Sequence, residues 1–352
     1  MECEELRNLK AYKREISQIC DENLPWQDLR GKTILITGAT GLIGTYLSDV
    51  FIQRSMIYGD NLTLILVSRN NDRARRIFGN EPNVILVSTD ISKGLDIRTK
   101  VDYIIHAASD ADPVSFSTDP IGVVLTNFMG TLNLLNSIKD KNDIRFVFLS
   151  TGEVYGDSDK IKRESDFGSL DPNSVRSCYP ESKRGAENLL ACFKYMCELD
   201  YVIIRLCHIF GATFKKEDSR AYAQFLRNAI DSKDIILKSS GEQMRSMCYV
   251  SDAVSGILYA MFIGESGEAY NLANRDCITS IRKLAALVAS EGNVKVIKRP
   301  STEQERLGFS KNKYSVLDAS KLESLGWKPK VNLQDGIKRC VYLLKSPNVL
   351  SR

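Results

Sequence analysis

Histidine is nearly missing from this chain: among 352 residues only His106 and His208 carry an imidazole, far apart in the sequence. Two histidines do not furnish the ligand set of a zinc site, so no structural or catalytic metal is expected. Nine cysteines are scattered, odd in number, with no C-x-x-C pair. That suits free thiols in a reduced compartment better than a disulfide framework. Long apolar runs are lacking as well. The longest, such as LTLILV at 62–67, have strand length, well short of the ~18 residues a membrane span needs. The N-terminus, MECEELRNLKAYKREISQ, is charged and has no apolar signal core. A large excess of one charge is missing too: the net charge of +4 gives no argument for nucleic acid or a membrane surface. The expectation is a cytoplasmic protein with no nucleic-acid or membrane partner.

What is present suits one large core or two linked ones, with 43% hydrophobic and 26% charged residues. Residues 1–30 read as an appended helix and loop. Leu6, Leu9, Ile16 and Ile19 give the helix a partial apolar face to pack on the main domain. From residue 31 the pattern changes. Six near-continuous apolar runs follow: KTILITG, LTLILVS, VILVSTD, VDYIIHAAS, IRFVFLST and YVIIRL. Between them stand helical stretches at 42–55, 119–140 and 180–200. Strands buried on both faces read as unbroken apolar runs, and βα alternation predicts a doubly wound parallel α/β sheet. After about residue 207 the alternation stops.

The first run leads into TGATGLIG, with Gly38, Gly41 and Gly44 at the start of a helix. A tight turn must leave the strand there, and the backbone must approach a pyrophosphate without a Cβ in the way. The helix N-terminus then offers free N–H groups to the anion. A glycine triplet in this strand–helix context predicts a dinucleotide site. The end of the second strand chooses the dinucleotide. An acidic residue would hold the ribose 2′-hydroxyl of NAD, whereas an arginine accepts the 2′-phosphate of NADP. Here stand Ser68, Arg69 and Asn70, with no carboxylate. Arg69 therefore leans toward NADP, with NAD the alternative. Asp90, at the end of the third strand, is placed to meet the adenine ring.

CYPESKR at 178–184 sets Tyr179 and Lys183 four apart. On one helix face such a pair is common and need mean nothing. Beside a dinucleotide it has a task. Hydride transfer from a carbinol requires a base for the hydroxyl proton, and a free phenol, with a pKa near ~10, is too weakly acidic to serve. A neighbouring ammonium and the nicotinamide charge favour the phenolate. Thr151, just after the fifth strand, can share the hydroxyl hydrogen bond.

With TGATGLIG (37–44), HAAS (106–109), NFMGTLNLL (127–135), STGEVYG (150–156), YPESK (179–183) and GEQMRSMCYVSD (241–252), the chain resembles the extended short-chain dehydrogenase/reductases that act on nucleotide sugars. The resemblance spans about residues 31–345. It implies a Rossmann domain at 31–207 and a smaller C-terminal substrate domain at 208–345, partly interleaved with the first. It implies a tightly held NAD or NADP on Gly38, Gly41, Leu42, Ile43, Gly44, Arg69, Asp90, Ile91, Ala107, Ala108, Asn127, Tyr179 and Lys183. It also implies a homodimer built through the Tyr179–Lys183 helix. The catalytic set is Thr151, Glu153, Tyr179 and Lys183; the substrate, a UDP-sugar, is expected at Ser109, Thr151, Gly152, His208, Arg220 and Arg245.

The triplet Thr151-Gly152-Glu153 bears on the reaction. A 4,6-dehydratase commonly sets an acid and a base after the threonine, and Gly152 supplies no acid. A C4 epimerase needs no Glu153. A uronate decarboxylase must oxidise C4, lose CO2, reprotonate C5 and return the hydride. UDP-glucuronate decarboxylases usually carry Thr-Ser-Glu, and DSRAYAQF and GEQMRSMCYVSD resemble that branch. Departures are Gly152 in place of serine, and His208 and FGATF where N-x-Y-G-P is usual. Decarboxylation is the first reading, epimerisation or 4,6-dehydration the alternatives, and a dinucleotide-binding protein without turnover the distant one.

Overall fold

The computed structural model describes residues 3–139, 143–307, 309 and 312–350. The six apolar runs become strands: β1 (Thr33–Thr37), β2 (Thr63–Ser68), β3 (Val84–Ser88), β4 (Tyr103–His106), β5 (Arg145–Thr151) and β6 (Asp200–Leu206). All pair in parallel, in the spatial order β6-β5-β4-β1-β2-β3. The order reverses between β1 and β4. A crevice opens there, beyond the carboxyl ends of the strands, and in such sheets that crevice is where ligands bind.

Beyond residue 207 come β7 (His208–Phe210), β8 (Ile235–Leu237), β9 (Met244–Tyr249), β10 (Glu268–Leu272), β11 (Asn274–Ser280), β12 (Val296–Lys298) and β13 (Tyr314–Ser315). β10 returns to the large sheet as its seventh strand, parallel to β6, with Tyr270 opposite Ile204. The Val250–Ile263 helix before it is buried nearly all round, so it has no polar stripe to mark it as a crossover helix. The segment assigned by sequence to a second domain thus supplies one strand of the first sheet. Around β9 gather β7, β11 and β13 in a small sheet, and β12 pairs with β8.

The expected 119–140 helix runs from Pro120 to Asn136, with a π-helical turn inside it, and a short helix precedes it. Helices Pro113–Thr118 and Pro120–Val124 each begin on a proline capped by an aspartate, Asp112 and Asp119. A π-helical turn, Leu125–Met129, follows, then Gly130–Asn136; residues 140–142 lie outside the described residues. The N-terminal extension is two helices, Cys3–Asn8 and Lys10–Cys20. Leu6, Ile16 and Ile19 are buried as expected. The extension also contributes charge to the interior: buried Glu15 accepts from the hydroxyls of Tyr46 (2.9 Å) and Tyr249 (3.0 Å), and Tyr12 donates to Asp49 at 2.6 Å. No helix among the described residues is long and apolar enough to cross a membrane.

Candidate active site

β1 delivers the chain to Gly38, whose φ of +68° favours glycine; a Cβ there would lie 2.8 Å from the Ala107 backbone. At Gly44 a Cβ would meet the Gly38 carbonyl at 2.2 Å. Gly41 caps the Leu42–Ile57 helix, so Leu42 and Ile43 open its first turn. Below the loop, Thr37 Oγ1 lies 2.7 Å from His106 Nδ1, and His106 Nε2 lies 3.0 Å from Thr131 Oγ1. Burial, with Lys183 nearby, pushes His106 down to about 3. This histidine is a neutral brace between β1, β4 and the following helices. A cavity of about 690 Å³, lined by Gly38, Gly41, Ser68, Ile91, Ala107 and Ala108 among others, opens at the strand ends. Glycine backbone free of Cβ atoms and a helix N-terminus border this cavity, so the residues present fit a dinucleotide.

Two expected cofactor contacts are differently engaged. The η nitrogens of Arg69 both bond the carboxylate of Asp110, at 3.0 and 2.5 Å. Asp110 pairs with this charge at the end of β2, where the Arg69 side chain stays 50% exposed. Asp90 caps the turn at Ile91–Lys93: its Oδ1 accepts from the Ser92 amide and hydroxyl, at 3.0 and 2.8 Å.

Asn127 sits in the π-helical turn, an irregularity frequent at functional sites. Its Oδ1 accepts from Ser109 (2.7 Å) and its Nδ2 donates to Ser182 (3.0 Å). It thus ties the loop after β4 to the Cys178–Cys197 helix, between the Tyr179 and Lys183 positions. On that helix Lys183 donates to the Leu149 carbonyl at 2.8 Å, beside β5. Burial pushes its ammonium down to about 7, against a partial opposing pull from Glu187. Tyr179 shares a hydrogen bond with Thr151 and stacks on Phe116, ring centroids 4.9 Å apart. Burial and Glu153 push its phenol up to about 12; the Thr151 hydrogen bond and the guanidinium groups of Arg220 and Arg176 act in the other direction. Arg220 and Arg176 thus bring positive charge toward the phenol, a role the sequence reading gave to neither.

Thr151 closes β5 and caps the turn that carries Gly152 and Glu153. Arg176 grips both oxygens of Glu153, at 2.9 and 2.8 Å, and lies 4.4 Å from the Phe116 ring centroid. Beside Gly152 stands Leu317; a Cβ on Gly152 would come 2.9 Å from its Cδ1. Arg220 is clasped by Asp218 and lies within electrostatic reach of Tyr179. Arg245 donates to the carbonyls of Met244 and Asn312, each at 2.8 Å, and feels Glu153. His208, across the small sheet from Met247, is pushed down to about 3 by burial and by Arg245, Arg220 and Lys162; its Nδ1 is buried with no protein partner. Ser109 donates to Asn127 and lines the cavity beside the glycine loop.

The tertiary structure adds groups that the sequence reading missed. Arg176 precedes Tyr179 by three residues but carries no pattern of its own. Lys162 is 1% exposed, donates to the Tyr314 carbonyl at 3.2 Å, and is pushed down to about 8 by burial and Arg245. Asp112 accepts from the Ser219 amide at 2.8 Å, latching the loop after β4 to the loop carrying Arg220. Only long-range packing brings these groups in.

The fold and the Thr151, Tyr179, Lys183 cluster define a dinucleotide-dependent enzyme of the short-chain dehydrogenase/reductase type. Residues 34–273 match the NAD dependent epimerase/dehydratase family, and the chain belongs to it. It is 33% identical over 309 residues to UDP-glucuronic acid decarboxylase 4 of Arabidopsis thaliana, covering 86% of this chain and 66% of that one. UDP-glucuronic acid decarboxylase 6 of the same plant is 31% identical over 313 residues, covering 86% of each chain. Among solved structures, the dTDP-glucose 4,6-dehydratase of Streptomyces venezuelae, solved with NAD bound, superposes with a TM-score of 0.76 at 25% identity, over 90% of this chain and 98% of that one.

Proposed function

We propose that the chain decarboxylates a UDP-uronate by way of a 4-keto intermediate. The carrying observation is the cationic wall around Tyr179 and Glu153: Arg176, Arg220, Arg245 and Lys162 converge there. A diphosphate and a carboxylate on one substrate would meet such a wall favourably. The likeness to UDP-glucuronic acid decarboxylases supports the same reading.

The dinucleotide, NAD or NADP, supplies a hydride acceptor and later a hydride donor. Tyr179 takes the proton of the C4 hydroxyl, with Thr151 sharing the hydrogen bond. The resulting 4-keto uronate is a β-keto acid. Its C5–C6 bond breaks, CO2 leaves, and the electron pair becomes a C4–C5 enolate, which then takes up a proton at C5. Tyr179 returns its proton to oxygen as hydride returns to C4. Lys183, which donates to the Leu149 carbonyl, would hold the nicotinamide ribose. Arg245 and Arg220 hold the acidic groups of the substrate, and His208 and Gly152 border the sugar.

Two observations favour C4 epimerisation as the second reading. Arg176 occupies Glu153, which epimerisation does not use, and Leu317 fills the space beside Gly152 where the decarboxylases usually have a serine. A homodimer through the Pro120–Val124 and Cys178–Cys197 helices belongs to the same proposal: Ile121, Val124 and Leu125 are exposed apolar residues on that face.

The deciding experiment is mass spectrometry of UDP-glucuronate incubated with the protein and each dinucleotide. A product lighter by CO2 supports decarboxylation. Unchanged mass with a new sugar signature by NMR assigns epimerisation. No change in either overturns the uronate reading.

A further inference from the structure

The cations around Tyr179 and Glu153 are not alike. Arg176 is neutralised by Glu153 and Arg220 by Asp218. Arg245 and Lys162 are held by carbonyl oxygens alone: Arg245 by Met244 and Asn312, and Lys162 by Tyr314. Among the described residues neither has an ion-pair partner. Both are buried, Lys162 almost completely. Of the carboxylates within electrostatic reach of Lys162, Asp157 is exposed to solvent and Glu153 is already paired with Arg176. A charge taken out of water without a counter-charge is costly, and an anion arriving with a ligand would offset that cost.

The position of Lys162 is fixed from several sides. Its amide donates to the Val316 carbonyl at 2.9 Å. Its carbonyl accepts from the Asp318 amide at 2.9 Å and from Asn271 Nδ2 at 3.0 Å. It thereby pairs with Leu317, whose side chain lies beside Gly152 in the catalytic turn. Tyr314, which accepts from the ammonium, is followed by Ser315, and Ser315 stands opposite Arg245 across the small sheet. His208 also feels the Lys162 charge. A buried lysine is thus built in beside the residues expected around the sugar.

We propose that Lys162 makes this site select an acidic sugar: its fixed positive charge favours the carboxylate of a uronate over the hydroxymethyl group of the neutral sugar. The inference rests on the UDP-uronate reading of the site. Lys162 acts by its charge, beside Arg245, and need not touch the reacting atoms. The diphosphate is common to acidic and neutral nucleotide sugars, so it cannot supply this discrimination.

The test is calorimetric binding of UDP-glucuronate and of UDP-glucose to protein loaded with reduced dinucleotide, which accepts no hydride, so that turnover does not interfere. Wild type at pH 7 should bind UDP-glucuronate at least about tenfold more tightly. Lys162→Met should cut that ratio about tenfold while UDP-glucose stays within about twofold. Lys162→Arg, which keeps the charge, should keep most of the preference. Burial and Arg245, against Asp157 and Glu153, bring the Lys162 ammonium down to about 8. The wild-type ratio should therefore fall as pH rises from 7 to 9 and stay flat in Lys162→Met; groups that respond alike to both sugars cancel in the ratio. A ratio unchanged by Lys162→Met overturns the proposal. So does an equal loss for both sugars, which would assign the charge to the diphosphate. Should Lys162→Met fail to fold, a wild-type ratio that is flat from pH 7 to 9 overturns it. Wild type that binds neither nucleotide sugar, or both equally, overturns the uronate reading itself, and the inference falls with it.

Discussion

Tyr179 and His106 show how burial sets the behaviour of a single residue. The Tyr179 phenol, pushed up to about 12, is a poor base until positive charge arrives beside it. Removing its oxygen removes the group, hydrogen-bonded to Thr151, that would carry the hydroxyl proton. Tyr179→Phe should lower turnover by about 10²–10⁴-fold, with the melting temperature little changed because one shared hydrogen bond is worth only about 1 kcal/mol; steady-state rates beside thermal unfolding curves check both. His106 gives a pH dependence. It is neutral in the fold, with its pKa moved from 6.5 to about 3. Between those values the unfolded chain binds a proton that the folded chain refuses, so stability present above about 6.5 is lost as pH falls toward 3. The slope from this residue should reach about 1.4 kcal/mol per pH unit. Urea unfolding of wild type and His106→Asn from pH 6 to 4.5 should give a shallower pH slope for the variant; equal slopes would sink the assignment.

At the scale of elements, the turn after β5 packs directly on the segment before the Ser320–Ser324 helix. Leu317 fills the space beside Gly152. Gly152→Ser alone sets its Cβ 2.9 Å from Leu317 Cδ1, so it should destabilise the protein by about 1–3 kcal/mol through overpacking. Adding Leu317→Ala should recover part of that loss, since the two changes share one space. A double-mutant cycle in denaturant reads the coupling, and strictly additive effects would show that the two residues do not meet. The strands were legible in the sequence because parallel strands buried on both faces leave unbroken apolar runs. The Pro113–Thr118 helix and the π-helical turn were not, because the first is a single short turn pair beside a stronger helix start at Asp119 and the second sits within one continuous apolar pattern.

For the whole molecule, the exposed apolar face of the paired helices carries the dimer proposal. Ile121 is 72% exposed and Leu125 44%. Such side chains in a row suit a partner surface better than water. Ile121→Asp should shift a dimer toward monomer by about tenfold or more in its dissociation constant; light scattering across a dilution series reads it, and a monomeric wild type would remove the proposal. The N-terminal extension belongs to this scale too. Glu15 reaches Tyr46 on the phosphate-loop helix and Tyr249 at the end of β9, so a segment read from sequence as an appendage joins both halves of the molecule.

The sequence by itself determined the six parallel strands, the glycine loop and the four-residue spacing of Tyr179 and Lys183 on one helix, because each depends on local spacing: apolar runs, glycine placement, one helical turn. Only the tertiary structure decided which charges face one another. Arg69 turned to Asp110, Asp90 turned to Ser92, Arg176 closed on Glu153, and β10 came back to the first sheet. Those outcomes depend on contacts between residues far apart along the chain, and no local pattern encodes where two distant loops will meet.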